Sequence, residues 1–232
     1  MDFSGNIALA FDLDDTLYDE RDYARACIAN VARHCAEAFG SDAIRLEADM
    51  LAAPNPYDGL RGTMGDTLPI DAFLEIYRAT EPSSLPLRED ARRLLEVLAR
   101  CPHIPIYLIT DGRCHGQQAK INALGITDLF TPEHIIISEA IGFDKHTPMP
   151  FVTAMARENR HSGWCYIGDN LAKDFYWPRR LGWSTFMVTD RGRNVHPQPP
   201  LKNIAPGYRP DFVIDSLDYL TSQICQSLSL QV

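Results

Sequence analysis

The sequence predicts an α/β protein with a doubly wound parallel sheet and a helical insert. Short apolar runs of strand length recur along the chain, and helical patterns alternate with them. One long interval near the N-terminus has no such run and shows helical spacing instead. Because alternation of strands and helices is typical of sheets with parallel neighbours, these observations together indicate the fold class.

Six apolar runs are the candidate strands: "IALAF" (7–11), "IPIYLI" (104–109), "IIIS" (135–138), "WCYIG" (164–168), "STFMV" (184–188) and "DFVI" (211–214). Most of them are continuously apolar rather than alternating. This is the pattern of parallel strands that are covered by helices on both faces.

Helical patterns lie between these strands. The segment around 88–100 places four apolar side chains on one stripe, namely Ala91, Leu94, Leu95 and Leu98. Further helices are predicted near 114–124, 150–158, 171–181 and 216–227. The repeated strand–helix order therefore predicts a doubly wound, Rossmann-like sheet.

The helical insert lies between the first two strands. About 90 residues separate them, whereas one crossover needs only about a dozen. Apolar residues recur there at helical spacing, at positions 24, 27, 28, 31, 35 and 39, and further helices are plausible at 42–53 and 70–79. We therefore predict a core domain of residues 1–17 and 85–232 and a helical cap of residues 18–84, with 54–69 as a Gly/Pro-rich internal loop.

Composition limits the possible partners. The chain has 232 residues, 45% of them hydrophobic, which suffices for one substantial core or a core with a smaller insert. The formal net charge is −9, and no run of basic residues favours a nucleic-acid or anionic-membrane partner. No membrane span or signal peptide is predicted. The six cysteines have no metal-like spacing, so we expect a reducing cytoplasm. The oligomeric state stays open.

Four polar clusters are expected at one edge of the sheet. In a doubly wound sheet, ligands bind beyond the carboxyl ends of the strands. "DLDDT" (12–16), "TDG" (110–112) and "DNLAKD" (169–174) directly follow three strands, and "GFDKHTPMPF" (142–151) lies between the last two. Their carboxylates, hydroxyl and lysine should therefore converge.

This set of residues suits phosphoryl transfer. Asp12 and Asp169 can bind a hard cation such as Mg²⁺, which relieves the repulsion among these two carboxylates and Asp14. Thr110, nearby backbone N–H groups and the Lys145 ammonium can hold phosphate oxygens. One carboxylate would attack phosphorus, and another two residues away would protonate the leaving group and later activate water. Alternation puts Asp12 and Asp14 on one side if the extended conformation persists past the strand.

With these motifs the sequence resembles the haloacid dehalogenase-like (HAD) superfamily over nearly the whole chain. The first motif, Asp-x-Asp-x-Thr/Val, matches "DLDDT", and the second, a Thr or Ser that ends a strand, matches Thr110 in "LITDG". The third is a lysine in a Lys-x-x-Pro-like context, and the fourth is Gly-Asp followed by a later Asp. Lys145 and Pro148 match the third motif, and Gly168, Asp169 and Asp174 match the fourth. The insert resembles the family's helical cap between motifs one and two.

The resemblance implies the roles of the acidic residues. Asp12 is the nucleophile and Asp14 the general acid and base. Asp12, the backbone carbonyl of Asp14 and Asp169 would hold Mg²⁺. One departure is His146, where many relatives have proline, and we expect this position to be structural. Asp15 is expected to contribute only its backbone N–H, with an incidental side chain.

The resemblance also implies the residues that hold the phosphoryl group. These are Thr110, Asp111 and Lys145, and Asp174 would orient Lys145 or a water molecule on the metal. The substrate selectors are less well defined. Tyr57 and Arg61 in the predicted loop and Arg113 after the second motif are candidates, although surface or core positions are equally open.

Asp14 points to the reaction type. By the resemblance, dehalogenases and phosphonate-cleaving members lack an acid there, whereas phosphatases and phosphomutases keep it. β-Phosphoglucomutase-like sequences have Gly where this chain has Asp15. The predicted function is therefore Mg²⁺-dependent hydrolysis of a small phosphorylated metabolite. A phosphomutase or nucleotidase is the alternative, and a non-catalytic HAD-fold binding protein is a further one. Sugar phosphates, nucleoside monophosphates and small organic phosphates all stay open as substrates.

Overall fold

The computed structural model describes residues 6–158 and 163–229. Its centre is a six-stranded sheet in which every neighbouring pair is parallel, in the order β3-β2-β1-β4-β5-β6. The strands are β1 (Ile7–Phe11), β2 (Ile106–Thr110), β3 (Ile135–Ile137), β4 (Gly163–Gly168), β5 (Ser184–Val188) and β6 (Phe212–Ile214). The doubly wound parallel sheet predicted from the sequence is confirmed, with strand bounds within two residues of the predicted ones.

Ten α-helices are described: α1 (Glu20–Phe39), α2 (Ala43–Ala52), α3 (Pro56–Met64), α4 (Ile70–Arg78), α5 (Glu89–Leu98), α6 (Cys114–Ala123), α7 (Ser138–Ile141), α8 (Met149–Arg157), α9 (Tyr176–Arg180) and α10 (Asp218–Leu228). Within the described ranges, no helix is long and apolar enough to cross a membrane. The helix predicted at 171–181 begins only at Tyr176, and the residues before it form turns.

Helices cover both faces of the sheet. Leu9 and Phe11 of β1 point into a cluster that includes residues of α5, α6 and α10. Ala8 and Ala10 point the other way, into a cluster with Phe151 of α8. Because successive side chains of a strand alternate, a strand buried on both faces needs apolar residues at every position. This explains the continuous apolar runs in the sequence.

The helices α1 to α4 form a helical unit, in which they pack on one another around a separate hydrophobic cluster. Its buried members include Val31, Leu46, Leu60 and Phe73. The internal loop predicted at 54–69 is wrong for most of its length, because residues 56–64 form α3. The Asn55 side chain caps this helix by accepting from the Tyr57 N–H, and proline occupies its first turn, where no N–H is needed.

Candidate active site

The first polar loop begins where β1 ends. The N–H of Asp12 donates to the carbonyl of Ile167 on β4 at 2.8 Å. Asp15 has a φ of 55°, and its buried carboxylate accepts from the N–H groups of Glu20 (2.9 Å) and Val195 (2.7 Å). The expectation that the Asp15 side chain is incidental is therefore wrong. It fixes the start of α1 and fastens the loop to a distant segment of the chain.

Lys145 is completely buried between two carboxylates. Its Nζ lies 2.8 Å from Asp12 Oδ1 and 2.7 Å from Asp174 Oδ1, and it donates to the Tyr166 hydroxyl at 3.1 Å. Burial opposes the charged form, but Asp12 and Asp174 outweigh it and hold the pKa of Lys145 well above its usual value. The chain thus keeps a permanent cation against the predicted nucleophile.

Asp174 also shapes the loop after β4. Its Oδ2 accepts from the N–H groups of Asp169 at 3.1 Å and Asn170 at 2.8 Å. A Cβ atom on Gly168 would lie 2.5 Å from this oxygen, so glycine is needed there for space. The spacing of the Gly-Asp…Asp motif therefore has a direct structural reason.

Three carboxylates form a group that can hold a cation. Asp12, Asp169 and Asp174 each place an oxygen within 4.8 Å of the others. Burial, followed by the charges of Asp174 and Asp12, raises the pKa of Asp169 to about 9. Burial also raises the pKa of Asp12 to about 6, although Lys145 opposes this shift. Buried carboxylates that repel one another and offer only oxygen ligands fit a hard divalent cation. Asp12 and Asp169 are the better donors, since both oxygens of Asp174 already have partners.

The segment after β5 contacts Asp169 of the three-carboxylate group through two side-chain amides. Asn194 Nδ2 donates to Asp169 Oδ2 at 2.7 Å, and Gln198 Nε2 donates to the carbonyls of Asp169 and Val188, both at 2.8 Å. Sequence reasoning missed these two amides. No motif marks them, because contacts between residues so far apart in the chain appear only in the folded protein.

Thr110 ends β2 with an unsatisfied hydroxyl. Its Oγ1 is buried and has no hydrogen-bond partner within the described ranges. Such a group is costly unless a ligand or water supplies a partner, so this atom marks a place for a polar ligand atom. The neighbouring Asp111 carboxylate accepts from the Lys145 N–H at 3.0 Å and lies 3.1 Å from Lys173 Nζ. Protein groups thus already engage this carboxylate, and the phosphate contact predicted for Asp111 stays a prediction.

Asp14 faces a different set of partners. Lys120 Nζ lies 2.7 and 2.9 Å from its two oxygens, Gln117 Nε2 donates to Oδ2 at 3.0 Å, and the Tyr18 hydroxyl donates to Oδ1. Burial favours the neutral acid, but the Lys120 ammonium and these hydrogen bonds outweigh it and lower the pKa of Asp14. Sequence reasoning did not single out Gln117 or Lys120, although both follow the second motif within ten residues.

A cleft of about 790 Å³ opens beside Asp14, between α1 and α4 on one side and α6 on the other. The predicted selector Arg113 lines this cleft and is exposed. Tyr57 and Arg61 do not line it. Tyr57 packs against Phe73 with ring centroids 5.3 Å apart, and Arg61 pairs with Asp66 at 2.9 Å. The structure therefore places these two side chains inside and on the surface of the helical unit, away from the cleft.

The backbone around His146 is held by one aromatic residue. The indole N–H of Trp177 donates to the His146 carbonyl at 2.7 Å. This contact involves only the backbone of residue 146. A second aromatic residue that sequence reasoning missed is Tyr166, which lies two residues before Gly168 on β4. Strand alternation places it on the same face as that glycine, and its hydroxyl lies against Lys145.

A family profile described as "haloacid dehalogenase-like hydrolase" matches residues 8–175. The chain belongs to this family of hydrolases, as the resemblance of its four motifs indicated. Among curated proteins, the chain is 28% identical over 226 residues to a glyceraldehyde 3-phosphate phosphatase of Methanopyrus kandleri. The alignment covers 91% of this chain and 95% of that protein.

Solved structures show the same fold. The HAD-hydrolase YfnB of Bacillus subtilis, a protein with bound magnesium, is 19% identical with a TM-score of 0.62, over 95% of this chain and 99% of that chain. A 2-haloacid dehalogenase of Pseudomonas syringae is 18% identical with a TM-score of 0.59, over 95% and 99%. Because phosphatases and dehalogenases share this fold, the reaction has to be argued from the site.

Proposed function

We propose that this protein is a Mg²⁺-dependent phosphomonoester hydrolase that acts on a small phosphorylated metabolite through an aspartyl-phosphate. The observation that carries the proposal is the acid at position 14, whose carboxyl borders the cleft and is held by three side chains. An ester needs a proton on its leaving oxygen, whereas cleavage of a carbon–halogen bond does not. A half-buried acid that is held by three side chains beside a nucleophile therefore favours phosphate esters.

Asp12 is the proposed nucleophile. Its carboxylate lies against Lys145, and its pKa of about 6 leaves it ionised at neutral pH. The Lys145 ammonium and the free hydroxyl of Thr110 would hold the phosphoryl oxygens during the attack. Asp174 keeps Lys145 in place from the other side. This arrangement supports in-line attack on phosphorus without a further base, since the nucleophile is already a carboxylate.

Asp14 is the proposed general acid and base. For the first half of the reaction it must carry a proton to the leaving oxygen. For the second half it must accept a proton from the water that cleaves the aspartyl-phosphate. The lowered pKa in the free protein suits the second task directly. The first task requires Asp14 to be protonated when the ester binds.

Mg²⁺ is the proposed cofactor, held by Asp12, the carbonyl of Asp14 and Asp169. When bound it would neutralise charge on the phosphoryl oxygens and on the carboxylates. We also propose that residues 18–84 act as the cap, because α1 and α4 form one wall of the cleft where a leaving group would lie. Arg113, at the start of α6 on the opposite wall, is the predicted selector that lines this cleft.

The substrate is proposed as a small phosphate ester. The 28% identical relative is named as a phosphatase of a triose phosphate, which supports this size class. A cytoplasmic location and the absence of nucleic-acid and membrane partners remain predictions from composition. The oligomeric state stays open.

Hydrolysis of an aryl phosphate with and without Mg²⁺ tests the proposal. We expect phosphate release that requires the metal and is abolished by Asp12→Asn without loss of folding. Asp128→Asn is the matched control, since this aspartate is exposed and far along the chain from the four motifs. Absence of turnover by folded wild-type protein on any small phosphomonoester would overturn the enzyme proposal. Turnover retained by Asp12→Asn would overturn the choice of nucleophile.

A further inference from the structure

Two side chains of helix α6 contact Asp14. They are Gln117 and Lys120, and neither belongs to the four motifs. We propose that Gln117 is a positioning residue for departure of the leaving group: it fixes the Asp14 carboxyl in relation to the loop that holds the phosphoryl group. The inference rests on the proposed function and deepens it, since it assigns how one step of that reaction is organised.

Gln117 joins two loops through one nitrogen. Its Nε2 donates to Asp14 Oδ2 at 3.0 Å and to the backbone carbonyl of Asp111 at 2.7 Å. The first loop carries the proposed acid, and the second directly follows Thr110. Both N–H bonds of the amide are therefore used to set the distance between acid and phosphoryl site. Gln117 is only 3% exposed, so its side chain has one fixed environment.

The amide makes these contacts at a cost. Its Oε1 is buried and has no partner within the described ranges. A glutamine that only filled space would be free to turn its oxygen toward a donor, which relieves the penalty of an unsatisfied acceptor. Turning it here would place an oxygen against the Asp14 carboxylate. The orientation is therefore dictated by the two acceptors at Nε2.

Gly112 is adapted to the same contact. A Cβ atom at this position would lie 2.5 Å from Gln117 Nε2, and its φ is 150°, which disfavours other residues. The glycine in "TDG" thus leaves room for the amide. Two positions in different elements, Gly112 and Gln117, consequently serve one contact, and each can be altered separately.

Lys120 and Tyr18 also hold Asp14, but in different ways. Lys120 contributes a full charge, so its removal changes the charge of the site as well as its geometry. Tyr18 lies on the same loop as Asp14 and cannot fix that loop in relation to the next one. Gln117 is neutral and comes from another element, which makes it the cleanest probe of positioning.

The affected step can be written in full. An oxygen of the Asp12 carboxylate forms a bond to phosphorus while the bond from phosphorus to the leaving oxygen breaks. The electron pair of that bond stays on the leaving oxygen, which takes the proton of Asp14. An alkoxide needs this proton in the transition state, whereas a nitrophenolate departs without it. Misplacing Asp14 should therefore affect alkyl esters much more than aryl esters.

The experiment compares kcat/KM for 4-nitrophenyl phosphate and for an alkyl phosphate such as glycerol phosphate, both with Mg²⁺. kcat/KM covers the steps up to departure of the leaving group and leaves out the later hydrolysis of the aspartyl-phosphate. We expect Gln117→Met to lose about 10-fold to 100-fold on the alkyl ester but less than about 3-fold on the aryl ester, as general acid catalysis contributes about 10²–10⁴-fold. Gly112→Ala should show the same imbalance.

Two controls complete the design. Gln118→Met changes the neighbouring exposed glutamine, which bonds Asn122, and should leave both esters unaffected. Combining Gln117→Met with Asp14→Asn should cost no more on the alkyl ester than Asp14→Asn alone. If Gln117→Met or folded Gly112→Ala loses kcat/KM equally on both esters, the positioning role of Gln117 is overturned. The proposed phosphatase function is not affected by that result. If the folded wild-type protein hydrolyses no small phosphomonoester, these two esters included, the proposed function is overturned and this inference with it.

Discussion

Replacing Lys145 with methionine tests how the buried charges of the site are balanced. The ammonium is wholly buried and lies within 2.8 Å of Asp12 and 2.7 Å of Asp174. Methionine keeps much of the side-chain volume but leaves two carboxylates in a buried setting without their cation. Lys145 opposes the rise that burial causes in the pKa of Asp12, so without Lys145 this carboxyl either keeps an uncompensated buried charge beside Asp174 or takes up a proton at a cost in free energy.

The expected loss of stability follows from this geometry. Removing one partner of a buried ion pair costs about 3–5 kcal/mol, because the remaining charge stays buried. For a chain of this size each kcal/mol shifts Tm by about 2–4 °C. We therefore expect Lys145→Met to lower Tm by roughly 6–20 °C in EDTA at pH 7.5. Thermal unfolding followed by circular dichroism measures it.

Two comparisons separate charge from packing. Lys202→Met alters an exposed lysine and should stay within about 0.5 kcal/mol of wild type. Adding Asp12→Asn to Lys145→Met removes one of the two stranded charges, so the double variant should be more stable than Lys145→Met alone. If Lys145→Met melts within about 2 °C of wild type, or if Asp12→Asn brings no recovery, the account of the buried charges is refuted.

Two further predictions concern the cation site and the helical unit. Burial and the charges of Asp174 and Asp12 raise the pKa of Asp169 to about 9, so the fold keeps this carboxyl protonated while the unfolded chain ionises it, and the metal-free fold loses stability from about pH 4 toward pH 9. Asp169→Asn should therefore raise Tm in EDTA at pH 8 and largely abolish the Tm increase caused by Mg²⁺. Gly59→Ala places a Cβ 2.4 Å from the Asp49 carbonyl oxygen and should cost about 1–3 kcal/mol in denaturant unfolding.

The predictions for Asp169→Asn and Gly59→Ala can each be contradicted by a separate measurement. A lower Tm for Asp169→Asn in EDTA at pH 8 would contradict the assigned penalty, and melts at pH 4 should show little difference from wild type. For the helical unit, Gly62→Ala on the same helix meets nothing within 4 Å. It should instead stabilise by up to about 1 kcal/mol through helix propensity. Equal effects of the two alanine variants would contradict the close approach of α3 to α2.

The sheet and the motif loops were predictable because their causes are local. Strands buried on both faces need continuous apolar runs, and the carboxyl ends of parallel strands meet at one edge. The proline and glycines of residues 54–69 predict a loop, whereas most of this segment forms helix α3. Pro56 in fact occupies the first turn, and Gly59 allows contact with α2. Local composition could not distinguish these roles from those of a loop.

Other features depend on contacts between distant parts of the chain. The Asp15 carboxylate accepts from an N–H 180 residues away, and Gln117 reaches a carboxylate 103 residues away. Nothing in the local sequence marks either pairing. The positions of Tyr57 and Arg61 away from the cleft have the same cause, because the packing of α3 on α2 and α4 sets the direction in which its side chains point.

The two connections of the helical unit lie side by side. The N–H of Arg88, after the insert, donates to the carbonyl of Leu17, before it, at 2.9 Å. Because its first and last residues lie next to each other, the helical unit is inserted into the core at a single point. Insertions or deletions in this unit, or its replacement by another unit, leave the strand order of the sheet unaltered. With residues 18–84 as the proposed cap, one wall of the cleft can therefore change while the sheet and the loop that carries Asp14 stay the same.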